Sequence, residues 1–195
     1  LYYIHHTDYN TPLEETLRAL DDLVRQGKVR YIACSNFHAW RLVDACWIAG
    51  LQQLEPIIAY QGCYSLVVRD LETEVFRVCR EKGVGVVNFG SVVSGFLTGK
   101  YLPGSRVVSG TRSEEGWAFV DYMFAPQADE ILTAVLEESK SLGCTPGQLS
   151  IAWTNGVPAI TSTLVGARTQ KQLEENLAAA DIEVSVESRR RLDEI

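Results

Sequence analysis

The sequence lacks the features that would place it in a membrane, on a nucleic acid or around a structural metal. No apolar run is long enough to span a bilayer, and no basic segment followed by an apolar one reads as a leader. Positive charge is in deficit, with a formal net charge of −7, and broad binding to nucleic acid or anionic lipid requires the opposite balance. A small anion could still be held, but only by a local cluster of cations. Five cysteines (Cys34, Cys46, Cys63, Cys79, Cys144) show no CxxC or other metal-ligand spacing. They read as reduced thiols of a cytosolic protein, serving mostly as core filler. Linkers, low-complexity stretches and composition shifts are also missing, so one domain over residues 1–195 is expected.

What is present is a regular order of elements. Residues 1–5 read as a strand, and Thr11 with Glu14 has capping-box spacing around Pro12. The helix that follows shows Leu17, Leu20 and Val24 on one face and stops at Gly27. VRYIAC (29–34) is a second strand leading to Ser35 and Asn36, and a helix over about 38–49 is expected to stop at Gly50. A third strand over 57–61, a helix near 70–82 closed by Gly83, and a fourth strand over 84–89 complete the first half. The strand ends His5, Cys34, Gln61 and Asn88 recur every 27–29 residues, one βα unit each. The strands are β-branched and show no clean polar alternation, which predicts a parallel sheet covered on both faces. Repeated βα units with no change of direction favour a barrel over an open sheet.

The rhythm breaks over 90–127, a long segment with Arg106, Arg112, Trp117, Phe119, Tyr122 and Phe124. Loops of that length in compact domains are usually binding loops or lids. Helices near 128–142 and 147–154 follow, and a short helix near 187–195 ends the chain. Between them lies ITSTLVGARTQKQLEENL (160–177), a strand broken by Gly166 and followed by a helix with Thr169 at its N-cap. Leu173, Leu177 and Ala180 share one face of that helix. A strand feeding a helix N-terminus favours anions, and Arg168 and Lys171 add positive charge there. Parallel βα proteins bind ligands at the C-terminal ends of their strands. The groups found there are His5, Ser35, Asn36, Gln61, Phe89 and the turn from Gly166 to Arg168.

Five pieces in order carry a resemblance: LYYIHHTD, TPLEETLRALDDLVRQGKVRYIACSNF, YQGCYS before RDLE, SGFLTGKY, and VGARTQKQLEENL. Together they resemble the aldo-keto reductases, (β/α)8 TIM-barrel enzymes that use a nicotinamide cofactor. The resemblance implies that the chain is the C-terminal portion of such a barrel, covering about strands 4 to 8. It implies NADPH-dependent reduction of an aldehyde or ketone by direct hydride transfer. His5 would then orient the substrate carbonyl, and Ser35, Asn36 and Gln61 would hold the nicotinamide carboxamide. Phe89 would stack on its ring, and Ser94, Gly95, Leu97 and Lys100 would lie along the pyrophosphate. Gly166 and Arg168 would approach a 2′-phosphate, Gln172 would bond it, and Glu175 with Asn176 would bind adenine.

The family's catalytic Asp, Tyr and Lys belong upstream of Leu1, and Tyr2, Tyr3, Tyr9 and Lys28 do not match them. A further departure is Phe89-Gly90-Ser91-Val92, where many relatives read aromatic-Ser-Pro-Leu. The chain alone is therefore expected to be poorly stable and part of a longer protein. A second reading is a nucleotide-binding redox sensor resembling potassium-channel β subunits, with little turnover. A metal site from His5, His6 and Asp8 is disfavoured, because neighbouring residues of a strand point to opposite faces. The sequence leaves the oligomeric state open, a homo-oligomer included.

Overall fold

A computed structural model describes residues 1–105, 109, 114 and 125–195. The chain packs as two compact units, Leu1–Gly62 with Asp70–Val87, and Cys63–Arg69 with Asn88–Ile195.

In the first unit β1 (Tyr2–Ile4), β2 (Ile32–Ser35) and β3 (Ile57–Cys63, whose last residue belongs to the second unit) run parallel, with Tyr3 beside Ala33 and Ser35 beside Gln61. All four residues of β2 are buried, as a parallel strand covered on both faces requires. The α/β class and the parallel ladder are those expected. Helix α1 (Leu13–Arg25) buries Leu13, Leu17 and Leu20, and Gly27 beyond it takes the left-handed conformation (φ +69°).

The capping box does not form. Thr11 donates its hydroxyl to Asp8 Oδ2 (2.6 Å) while Asn10 N–H bonds Asp8 Oδ1 (2.8 Å), so a local turn consumes the hydroxyl. Glu14 pairs forward with Arg18 (3.1 Å), and Pro12, rather than Thr11, stands at the N-cap. Gly50 is likewise not a stop. Helix α2 (Ala39–Gln52) runs through it, and Gln53 takes the left-handed cap (φ +54°). The expected helix over 70–82 divides into a 3-10 turn (Asp70–Glu72) and α3 (Val75–Lys82), which Gly83 closes at φ +68° as expected. Next comes β4 (Gly85–Phe89), whose last two residues belong to the second unit.

The second unit holds a 3-10 segment (Val93–Thr98), α4 (Ala128–Leu142), α5 (Pro146–Asn155), β5 (Ser162–Thr163), α6 (Gln170–Leu177) and α7 (Val186–Asp193). A full capping box opens α5. Gln148 N–H bonds Thr145 Oγ1 (3.2 Å), and Thr145 N–H bonds Gln148 Oε1 (3.0 Å). Strand β5 is shorter than the expected 160–165, and Leu164 N–H donates to Asn88 O at 2.7 Å. The core centres on Trp153, which is wholly buried and stacked on Tyr64 with ring centres 5.6 Å apart. Arg69 and Arg189 lie 5.3 and 5.6 Å from its ring centre, and its indole N–H donates to Asp193 Oδ1 (2.9 Å). Helix α7 is thereby fastened to α5, and Arg191 adds an ion pair to the buried Glu138 (3.0 Å). The five cysteines are thiols, with Cys34 and Cys79 buried and the other three half-buried. Among the described residues no helix is long and apolar enough to cross a membrane.

Candidate functional site

In the first unit, one residue ties the neighbouring strands together beyond the parallel ladder. Asn36 follows the buried Ser35 at φ +58°, a conformation Asn tolerates better than most side chains. That turn aims its carboxamide Nδ2 at His5 O and at Ser35 Oγ, both at 3.0 Å. Its main-chain N–H bonds Gln61 O (3.2 Å). The structure thus brings His5, Ser35 and Asn36 together at the ends of β1 and β2, beside Gln61, which lies within β3 because that strand runs to Cys63 rather than stopping at 61 as expected. Asn36 keeps its Oδ1 as an acceptor, and Ser35, accepting from Asn36, keeps its hydroxyl proton to donate. A carboxamide ligand needs one of each. The His5 ring is exposed and lies 4.1 Å, centre to centre, from that of His6. The two do not point to opposite faces, because β1 ends at Ile4 and the strand alternation ends with it.

The second unit contains a cavity of about 530 Å³, a volume suited to a small ligand. Nine of the ten residues singled out in this part of the chain line it: Phe89, Ser94, Gly95, Lys100, Gly166, Arg168, Gln172, Glu175 and Asn176. Leu97 does not; it is wholly buried beneath the 3-10 segment.

One wall is a wound turn. Asn88 Nδ2 donates to Ser91 Oγ (3.0 Å), Tyr64 N–H to Phe89 O (3.1 Å), and Val93 N–H to Gly90 O (2.8 Å). Gly90 sits at φ +84°, and a Cβ there would come within 2.9 Å of Cys63 Sγ. A larger side chain at this position would therefore need the turn or Cys63 to shift. Val93, Ser94 and Gly95 also take positive φ (48°, 54° and 101°). For β-branched Val93 that conformation costs about 1–3 kcal/mol, and strain of this kind concentrates where function fixes the backbone. Inside the turn Gly95 N–H is spent on Val92 O (2.9 Å), as Val93 N–H is on Gly90 O. Thr98 locks the turn by donating to Gly95 O (2.7 Å).

The facing wall is the entry to α6. Thr169 caps the helix as expected, accepting from Gln172 N–H (3.2 Å). Gln172 accepts from Arg168 N–H (2.9 Å), and Asn176 donates to Gly166 O (3.1 Å). Both amides are thus half used in shaping the turn. The Nε2 of Gln172 is left to donate, and the Oδ1 of Asn176 to accept. Gln148, already in the α5 capping box, donates to Glu175 O (3.1 Å) and joins the start of α5 to the C-terminal half of α6. Arg168 and Lys100 supply two positive charges, and Glu175 one negative charge. Leu173 and Leu177 are exposed, so the shared apolar face of α6 is not buried.

Residue-level reading missed Cys63, Ser91, Thr98 and Gly147 in the lining. The Thr-Pro-Gly-Gln run at 145–148 is a capping-box pattern that marks where α5 begins and places Gly147 in its first turn. Of the segment 90–127, Arg106, Arg112, Trp117, Phe119, Tyr122 and Phe124 lie outside the described residues.

Comparisons with known proteins bear on what this arrangement serves. The sequence model of the Aldo/keto reductase family matches residues 1–195. An uncharacterized oxidoreductase, YrpG of Bacillus subtilis, is 34% identical over 201 residues, covering 100% of this chain and 57% of that protein. The aldo-keto reductase AFTS1 of Alternaria alternata is 34% identical over 190 residues, 97% of this chain and 50% of its own length. A probable voltage-gated potassium channel subunit beta of Arabidopsis thaliana is 30% identical over 187 residues, 92% and 56% respectively. The chain spans about half the length of the curated relatives it matches.

Proposed function

Because the chain belongs to the aldo/keto reductase family, we propose that the full-length protein is an NADP(H)-dependent oxidoreductase that reduces an aldehyde or ketone to an alcohol. On this reading residues 1–195 form one domain, the part of a (β/α)8 barrel from about strand 4 to strand 8. The observation that carries the proposal is the cavity of about 530 Å³, which gathers two cations, a positive-φ turn and a helix entry around one space.

The residues fit a dinucleotide. The turn at Ser94 and Gly95, with the Leu97 side chain packed beneath it and Lys100 beside it, suits a pyrophosphate, since the Ser94 hydroxyl can donate and one cation can meet a doubly charged group. Gly166 and Arg168 suit a 2′-phosphate. The spare Nε2 of Gln172 can add a bond to it, and Glu175 with the Oδ1 of Asn176 can meet the amino edge of adenine. Phe89 offers a ring face for the nicotinamide, while Ser35, Asn36 and Gln61 offer the donor and acceptor its carboxamide needs.

The bound cofactor supplies the hydride. His5 orients the substrate carbonyl by directing a donor at its oxygen, where negative charge develops. The family's Asp, Tyr and Lys would come from residues outside this chain.

The test is nucleotide binding to the full-length protein. Arg168→Ala is expected to weaken NADPH about tenfold, worth about 1.4 kcal/mol, and to leave NADH almost unchanged. Equal losses for both nucleotides would remove the 2′-phosphate assignment. For His5→Ala, turnover should fall far more than NADPH affinity. The likeness to a probable potassium channel subunit beta supports a second reading, a nucleotide-binding sensor with little turnover. Tight NADPH binding without oxidation across a panel of carbonyl compounds would select it.

A further inference from the structure

The outer face of α2 is a feature that the nucleotide reading leaves unused. Inside the first unit α2 lies between α1 and α3, and it turns Leu42, Ala45 and Ala49 inward, where they are buried. On the opposite side Trp40, Trp47 and Leu51 fall in one stripe at helical spacing, 54, 64 and 66% exposed. Asp44 is the one charged residue of that stripe and is half-buried, and the guanidinium of the flanking Arg41 lies 5.7 Å from the Trp40 ring centre. A helix apolar on both faces is ordinarily a buried helix. Strands or helices that extend the sheet would add at its edges. A helix flanked on both sides can be covered only from outside the layer.

We propose that a second copy of the chain covers this face, with two α2 helices pairing antiparallel across a two-fold axis near Ala45 and Cys46. The stripe is self-complementary in that register, as an isologous interface requires. Trp40 meets Leu51 of the second copy, and Trp47 meets Asp44 of the second copy. Each carboxylate thus faces an indole N–H donor, and no like charges oppose each other. The two Trp and one Leu offer roughly 400 Å² of apolar surface per copy, given the area an aromatic side chain can bury. A standard interface buries about 800 Å² on each side, so the stripe supplies its apolar centre. The rim is polar, as interface rims are, with the ion pairs Glu14–Arg18 on α1 and Arg77–Glu81 on α3. The proposal is independent of the nucleotide reading.

Sedimentation velocity on the full-length protein, from about 1 to 100 µM, tests it. The wild type should sediment at twice the monomer mass. Trp47→Arg should raise the dissociation constant about 30-fold or more, with the far-UV circular dichroism and melting temperature unchanged. Leu51→Arg, at the most exposed position of the stripe, is the companion variant should Trp47→Arg fold poorly. A wild type that stays monomeric over the whole range would overturn the proposal and assign the face to a different partner. So would a dimer that survives the arginine substitutions.

Discussion

Replacing Gly156 with Ala should destabilise the protein through Arg189. Gly156 has φ −79° and ψ 0°, so alanine fits its backbone without strain. By itself the exchange would stabilise by about 0.4–1 kcal/mol through the unfolded chain. The added methyl, however, would overlap Nη2 of Arg189 and lie 3.2 Å from its Cζ. Arg189 must then leave Trp153 O, to which it donates at 2.8 Å, and its place 5.6 Å from the indole centre. A hydrogen bond from a charged donor contributes about 1.5–3 kcal/mol and a cation–π contact about 0.5–1. Arg189 is half-buried, which favours the lower ends of both ranges, so about 2 kcal/mol is at stake. Net of the backbone gain, Gly156→Ala should cost about 1–1.5 kcal/mol, or about 3–5 °C in Tm for a protein of this size. The assay is a double-mutant cycle with Arg189→Ala, read by urea denaturation. In the Arg189→Ala background the same exchange should be neutral or mildly stabilising. If it cost the same in both backgrounds, the steric account would be refuted.

Three further expectations can be checked directly. Thr145→Ala removes a formed capping box and should cost about 1 kcal/mol in denaturation, whereas Thr11→Ala removes no cap and should cost clearly less. Burial pushes the Cys79 thiol up to about 12 and Cys34 higher still, so native protein at pH 8 should leave both unalkylated until unfolding, as mass spectrometry of labelled peptides would show. Hydrogen bonds from the Arg25 guanidinium and from Glu55 N–H hold the Asp21 carboxyl below the usual carboxylate range. The unfolded chain therefore protonates first as pH falls. The stabilisation is complete above about pH 5 and is lost as pH drops through the folded-state pKa. Denaturation of wild type against Asp21→Asn should show a gap at neutral pH that narrows toward pH 2, and a constant gap would contradict the assignment.

Periodicity alone located α1 and α4, the stops at Gly27 and Gly83, and the Thr169 cap, because each depends on residues within one or two turns of itself. Nine of the ten residues singled out in the second half line one cavity for a related reason. They fall in two short runs, 89–100 and 166–176, so neighbours in sequence reach the cavity together. Three features were not legible. Thr-Pro-x-Glu at 11–14 and Thr-Pro-x-Gln at 145–148 are nearly the same pattern, and only the second forms a capping box. The difference is Asp8, three residues before Thr11, which takes the hydroxyl first. Gly50 reads as a stop but is carried through α2. The strained Val93 and Ser94 could not be foreseen, since nothing in Val-Ser announces positive φ and the turn is fixed by Gly90 fitting against Cys63.

By itself, then, the sequence determined the order of βα units and the chemistry at their ends, since both follow from short-range spacing. Tertiary structure decided how that chemistry is spent. It committed half of Gln172 and Asn176 to shaping the α6 entry, and buried the Leu97 side chain rather than turning it to the cavity. It also left the indoles of α2 on the outside. Those outcomes depend on which groups meet across the fold, and a hydrogen bond or a packing contact between distant residues has no local signature.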